Sequence, residues 1–279
     1  DVYKRQLKRH FQEGVLTCEV KSGYAPNLDD EVRMLRIINE IDSSNDIDLI
    51  PTCLAAHVTP KKYESSKKYL DSIVNDLLPI IKEENLSNRV DIFIEEKAFS
   101  VTEASNFLEK IKSDFHITAH ANQFTSGGLK VGVDNGAVSV DHLEVITDQE
   151  IDYLSKSDTT GVVLPGCSLG LGIPFAPARK LLDNNCKVSI ASDWNPGSAP
   201  MGDLLMQASL LGSTEKLSNA EVLAGITSRA ANALSLEDRG SLENGKIADM
   251  IGFKTNDFRD ILYNHCLLYT SPSPRDLMR

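Results

Sequence analysis

The sequence predicts an α/β fold, a (β/α)8 TIM-type barrel lacking its first strand and followed by the remnant of a small β domain. Three observations carry that prediction. Short apolar runs alternate with longer amphipathic stretches, the pattern of parallel strands joined by crossover helices. Polar residues capable of chemistry stand just after the runs. Only seven such runs precede a helical tail that begins near Met201.

The runs cover residues 16–20, 49–53, 91–94, 117–119, 139–140, 162–164 and 189–191. Helical patterns separate them at 29–41, 63–84, 102–113, 148–155 and 177–184. In the first of these, Val32, Leu35, Ile38 and Ile41 recur at three- or four-residue spacing behind acidic residues suited to a helix N-terminus. After the last run, helices are expected at 202–211 and 218–234. The second opens on Ser218 with Glu221 three residues later, a capping box. Residues 240–253 then change to turn residues around short apolar runs, which predicts a β-hairpin. The expected organisation is an incomplete barrel over 7–236 and the remnant of a small β-sandwich domain over 237–265. Residues 1–6 and 266–279 fit neither pattern and read as a non-native leader and tail.

Composition narrows the function. A chain of 279 residues that is 41% hydrophobic and 25% charged has the make-up of an ordinary globular protein of one large or two small domains. Its net charge of -11 repels phosphate backbones and acidic membrane surfaces, so neither nucleic acid nor a membrane is an expected partner. No apolar run approaches the roughly 20 residues of a membrane span. The five cysteines are odd in number and never in CxxC spacing, which argues against a disulfide scaffold or zinc knot and makes the cytoplasm the default compartment. An open barrel exposes strand edges, which leaves pairing into a homodimer open.

The residues that follow the runs are Lys21, His57, Glu95, His120, His142, Pro165 and Asp193. Loops at the C-terminal ends of barrel strands converge on one face, so these side chains can meet around one substrate. His120 at a strand end can ligate a divalent metal, or it can be a packed core histidine. His142 has the same two readings, and Asp141 before it either orients it or ends the strand. An acid such as Asp193 after a buried strand is costly to desolvate unless it binds a cation or is hydrogen-bonded. The Asn195-Pro196-Gly197 turn behind it exposes backbone N–H groups.

Several strings occur together and in order: Glu19-Val20-Lys21-Ser22-Gly23-Tyr24, Ala56-His57 with Pro60, Asp91-Ile92-Phe93-Ile94-Glu95, His120-Ala121-Asn122-Gln123, Ser139-Val140-Asp141-His142 and Asp193-Trp194-Asn195-Pro196-Gly197. With Gly240-Ser241-Leu242-Glu243-Asn244-Gly245-Lys246-Ile247-Ala248-Asp249, they resemble the imidazolonepropionase family of the metal-dependent amidohydrolase superfamily, from about Leu7 to His265. The resemblance implies hydrolysis of the ring amide of 4-imidazolone-5-propanoate to N-formimino-L-glutamate in histidine breakdown, with one zinc or iron ion, zinc ahead of iron. By the same resemblance His120 and Asp193 match metal ligands, and His142, Asp193 and Gln123 match catalytic positions. Tyr24, His57, Gln123, Asn195, Gly197 and Ser198 match contacts to substrate or product. Asn122 stands where the family usually has Asp. No His-x-His pair, the superfamily's first-strand source of two further ligands, occurs in the 279 residues, so impaired metal binding is expected of the chain as it stands. The rival readings are an aminohydrolase acting on another heterocycle, against which Gln123 argues, and an inactive or ligand-binding barrel.

Overall fold

Among the described residues seven strands form in the expected places: β1 (Thr17–Lys21), β2 (Asp48–Ala56), β3 (Arg89–Ile94), β4 (His116–Ala121), β5 (Ser139–His142), β6 (Thr160–Val163) and β7 (Lys187–Ile190). All pair in parallel with their sequence neighbours, in the order β1 to β7. The computed structural model describes residues 2–42 and 46–263. The helices are α1 (Val2–Gln12), α2 (Leu28–Asp42), α3 (Ser66–Ser72), α4 (Leu78–Glu83), α5 (Val101–Ile111), α6 (Gly128–Asp134), α7 (Asp148–Ser155), α8 (Pro165–Leu171), α9 (Ala178–Asp183), α10 (Leu204–Thr214), α11 (Asn219–Ile226), α12 (Ser228–Ala233) and α13 (Arg259–Tyr263). Among the described residues no helix is long and apolar enough to cross a membrane.

The central strands alternate with period two. Val90, Ile92, Ile117, Ala119 and Val140 are buried on one side, while Arg89, Asp91, Thr118, His120, Ser139 and Asp141 are buried on the other. The apolar side packs on the helices: a Cβ added at Gly132 of α6 would stand 2.9 Å from Val140. The polar side faces inward, and the sheet curls around it. Lys21 Nζ on β1 reaches Asp141 Oδ2 on β5 at 2.9 Å. In a flat sheet those strands would lie four spacings apart, about 19 Å. β1 and β7 are the two ends of the sheet order, so the wall is open between them, as expected of a barrel lacking a strand. On that side α1 leans on the loop after β7: the His10 ring meets Trp194 edge-on at 4.7 Å and the Arg9 guanidinium lies 4.9 Å from the Trp194 centroid. At the opposite pole Arg89 is almost wholly buried and donates to the Leu234 and Ala233 carbonyls at the end of α12, where a cation complements the helix dipole.

Four expectations need correction. The helix expected over 63–84 is interrupted by a π turn (Ile73–Leu77) before α4, whose Pro79 has no N–H to continue an α ladder. The helix expected over 218–234 breaks at Thr227, whose hydroxyl donates to the Leu223 carbonyl. Helices α6 and α8 lie where no helix was expected, and the glycines within them, Gly128, Gly132, Gly166 and Gly170, allow close approach of neighbouring segments. Residues 240–253 contain no strand. They form turns held by contacts such as the Ile247 N–H to the Asp238 carbonyl at 2.8 Å, with Leu242 74% exposed. A hairpin with no sheet to join is marginal in water. Helix α1 runs across residue 6 without deciding whether residues 1–6 are a non-native leader, and residues 266–279 lie outside the described residues.

Candidate active site at the strand ends

A charged cluster lies across the inside of the curled sheet. Lys21 Nζ sits 2.5 Å from Asp91 Oδ2, 2.9 Å from Asp141 Oδ2 and 3.3 Å from Glu19 Oε2. Burial favours the neutral forms, but the mutual charges win. Asp141, Asp91 and Glu19 hold Lys21 well above the ordinary lysine range, against the burial that would lower it. Asp91, which burial alone would raise, is held well below the carboxylate range by His120 and Lys21. The other Asp91 oxygen lies 3.0 Å from His120 Nδ1. Burial pushes His120 down and Asp91 more than reverses it. A histidine whose Nδ1 is engaged by a carboxylate presents Nε2 as its free ligand atom, the arrangement that orients metal-binding histidines.

Two groups of three side chains among the described residues bring possible ligand atoms within 4.8 Å of one another: Asp91, His120 and Asp141, and His142, Glu144 and Cys167. In the first, Lys21 already supplies the cation that the two carboxylates need, so Asp91 and Asp141 read as an ion-paired support for His120. His120 itself fits a metal: it is buried, oriented, and open at one nitrogen.

His142 closes β5, and its ring centroid lies 5.3 Å from that of His120. Strand alternation would send neighbouring residues Asp141 and His142 to opposite faces. Left-handed backbone at His142 (φ 88°) and Leu143 (φ 72°) turns the histidine back into the mouth. Asp193 after β7 is left-handed too, at φ 47°. Backbone outliers of this kind cluster where side chains must be aimed.

Gln123 lies in the loop after β4 and donates from Nε2 to Cys167 Sγ at 3.2 Å. Burial pushes the Cys167 thiol up to about 12, opposed by a hydrogen bond with Ser198 and helped by the charges of Asp193 and Glu144. Those contacts gather Asp193, Ser198 and Gln123 around Cys167. His57 after β2 packs on Phe93 at 5.5 Å, and Phe93 meets His120 edge-on at 6.2 Å. Burial, helped by His120, lowers His57 below its ordinary value, with Asp91 opposing. Tyr24 sits at the outer rim, 62% exposed and 6.2 Å from the His57 ring.

The structure therefore brings His57, His120, Gln123, His142, Asp193 and Ser198 to one mouth, with Tyr24 at its edge. Asn195 and Gly197 belong to the same loop as Ser198, but the Asn195 side chain is engaged locally: Oδ1 accepts from the Gly197 and Ser198 N–H groups, each at 2.8 Å, and Nδ2 donates to the Asp193 carbonyl at 2.7 Å. Of the two readings of Asp141, neither describes its contacts, which are to Lys21 and Ser139. Asn122 is fully buried, its side chain clamped between Glu150 and the Leu129 N–H. Asp91, Glu144, Cys167 and Ser168 were not singled out as site residues. The period-two polar alternation along β3 to β5 is the signal that could have found Asp91.

Gly170 of α8 backs the Ser198 loop so closely that an added Cβ would stand 1.8 Å from the Ser198 carbonyl oxygen. Gly170→Ala is expected to lower stability by about 1–3 kcal/mol through overpacking and to displace the 195–199 turn. Urea denaturation with amide shifts of that turn checks this, and an unmoved turn at parental stability would contradict it.

The amidohydrolase family model matches residues 80–273, and the chain belongs to that family. Within it, the chain is 37% identical over 252 residues to the imidazolonepropionase of Caldanaerobacter subterraneus subsp. tengcongensis, covering 88% of this chain and 60% of that protein. It is also 37% identical over 264 residues to the imidazolonepropionase of Thermoanaerobacter pseudethanolicus, covering 93% and 64%. The chain thus spans less than two thirds of the length of these curated relatives. Among solved structures it is similar to a putative prolidase from Bifidobacterium longum (TM-score 0.70, 18% identity, 95% of this chain and 72% of that one). It is similar also to the atrazine chlorohydrolase of Arthrobacter aurescens TC1 complexed with zinc (TM-score 0.68, 16% identity, 88% and 62%). At those identities the likeness concerns the fold.

Proposed function

We propose that this chain is the larger part of an imidazolonepropionase, which opens the ring of 4-imidazolone-5-propanoate by hydrolysis of its C–N bond to give N-formimino-L-glutamate in histidine degradation. The observation that supports this most is the gathering of His57, His120, Gln123, His142 and Asp193, remote in sequence, at one mouth of a chain 37% identical to imidazolonepropionases.

In this reading His120, through Nε2, and Asp193 hold one metal ion, with zinc favoured over iron for a mixed imidazole and carboxylate donor set. When bound, such an ion lowers the pKa of water from about 15.7 toward 7 and polarises the carbonyl under attack. Asp193 takes the proton of the attacking water and delivers it to the departing ring nitrogen. His142 faces the reacting carbonyl and stabilises the charge that develops there. His57 and Gln123 hold the polar edges of the heterocycle, and Tyr24 covers it from the rim. The propionate carboxylate competes with Asn195 Oδ1 for the Gly197 and Ser198 N–H groups, so its binding requires the Asn195 amide to turn away. The substrate is a small molecule; a homodimer and a cytoplasmic setting belong to the same proposal, as does residues 237–265 being the stub of a second domain.

His120 and Asp193 are two of the four ligands the family resemblance calls for, and the 279 residues contain no His-x-His. The test joins an upstream segment carrying that pair to this chain, then measures ring opening of imidazolone propanoate alongside metal content. Turnover with one ion per chain is expected, and weak zinc retention by the unextended chain. Full metal loading with no ring opening, but deamination of another heterocycle, would sink the assignment.

A further inference from the structure

We propose that Glu144 is a positioning residue that fixes the orientation and tautomer of His142, and that Ser168 in turn fixes Glu144. The inference rests on the reading of the mouth just given and deepens it. The left-handed turn at His142 and Leu143 that throws the histidine inward also brings the Glu144 side chain back to it. Glu144 Oε2 lies 3.6 Å from His142 Nδ1, with the two side chains 1% and 4% exposed. Both atoms are buried, and among the described residues neither has a hydrogen-bond partner. The other oxygen, Oε1, accepts from Ser168 Oγ of α8 at 2.9 Å.

A buried carboxylate oxygen without a donor is costly, and so is a buried ring nitrogen without a partner. These two orphans face each other just beyond hydrogen-bond length, and one proton on Nδ1 satisfies both once the pair closes by a few tenths of an ångström. Cys167 is the third member of this cluster, but its sulfur already accepts from Gln123. The consequence concerns the opposite nitrogen. With Nδ1–H committed to Glu144, neutral His142 carries no hydrogen on Nε2. That atom is then a proton acceptor, and it can serve the reacting carbonyl as a donor only in a ring that carries a proton on both nitrogens.

The test is 15N NMR of the histidine-labelled chain, with His142→Gln used to assign the resonance. The parent is expected to hold His142 as the Nδ1–H tautomer. Glu144→Leu should shift the tautomer ratio toward Nε2–H by about tenfold, the size of one hydrogen bond to a charged group. Glu144→Gln should restore much of the parental ratio through its amide oxygen, and Ser168→Ala should give an intermediate shift. A merely structural role for Glu144 would leave the tautomer unmoved. If Glu144→Leu does not fold, the parental tautomer and the Ser168→Ala shift decide. An Nε2–H tautomer in the parent, or no change in the variants that fold, overturns the proposal. So does coordination of added Zn2+ at Nδ1, which would make the His142, Glu144 and Cys167 cluster a metal site. The readout needs no turnover, so a failed ring-opening assay and a failed tautomer measurement are separate results.

Discussion

Lys21→Met is expected to lower the stability of the chain by about 3–5 kcal/mol, the usual consequence of removing one partner from a buried ion pair. The size follows from what is left behind. Asp91 is 0% exposed and Asp141 4%, and without Lys21 Nζ at 2.5 and 2.9 Å two carboxylates face each other inside the barrel. The ammonium also spans β1 and β5, so its loss removes a cross-tie that holds the open sheet curled. Urea denaturation measures the change. Asp91→Asn placed on top of Lys21→Met should recover part of the loss, because it deletes one of the stranded charges. The dependence on pH has a definite sign. Asp91 is held below its ordinary range, so its contribution is present above the unfolded carboxylate's pKa and is lost as pH falls through the lower folded value. Lys21→Met lacks that contribution and keeps stranded carboxylates that protonation relieves, so its deficit against the parent should shrink as pH falls. A stability change under about 1 kcal/mol, typical of a solvent-screened surface pair, would show that water reaches this cluster freely.

This cluster also marks how far the sequence could be read. The seven strands and most helices were legible, because apolar residues at period two or 3.6 report burial directly, and the helix over 148–155 falls on the expected residues. His120, His142 and Asp193 were legible by position, since a barrel sends its strand ends to one face. Their partners were not. Asp91 was read as the start of an apolar run and Asp141 as an acid that either orients His142 or ends the strand, because a single strand does not reveal that its polar face is enclosed. The Lys21 contact joins residues 120 apart in sequence, and only curling of the sheet creates it. Glu144 was hidden by the left-handed turn at His142, which breaks the alternation that sequence reasoning relies on. The hairpin over 240–253 failed for a different reason: turn residues around apolar pairs specify where a chain can reverse, not whether a sheet is there to receive it.

Glu95→Ala is expected to remove about 3 kcal/mol of stability and to release the loop that carries Gln123. One carboxylate organises that loop. Oε1 accepts from the backbone N–H groups of Gln123, Phe124 and Thr125 at 3.0, 2.9 and 3.3 Å, and Oε2 accepts from Thr125 Oγ1 at 2.5 Å. Each bond to a charged acceptor contributes about 1.5–3 kcal/mol when its donor is left buried, but a loop at the mouth can turn its amides to water and recover much of that. The net loss is therefore smaller than the sum, and the larger effect falls on geometry. Gln123 reaches Cys167 only because its backbone is fixed, so with Glu95 gone the amide should lose its place on that sulfur. Hydrogen exchange at residues 123–125 should accelerate far more than exchange in β3 or β4, separating loop release from global unfolding. Glu95→Gln supplies one acceptor oxygen and should fall between the two. Continued protection of those three amides in Glu95→Ala would mean that Asn122, clamped by Glu150 and the Leu129 N–H, holds the loop instead, leaving Glu95 a contributor to stability alone.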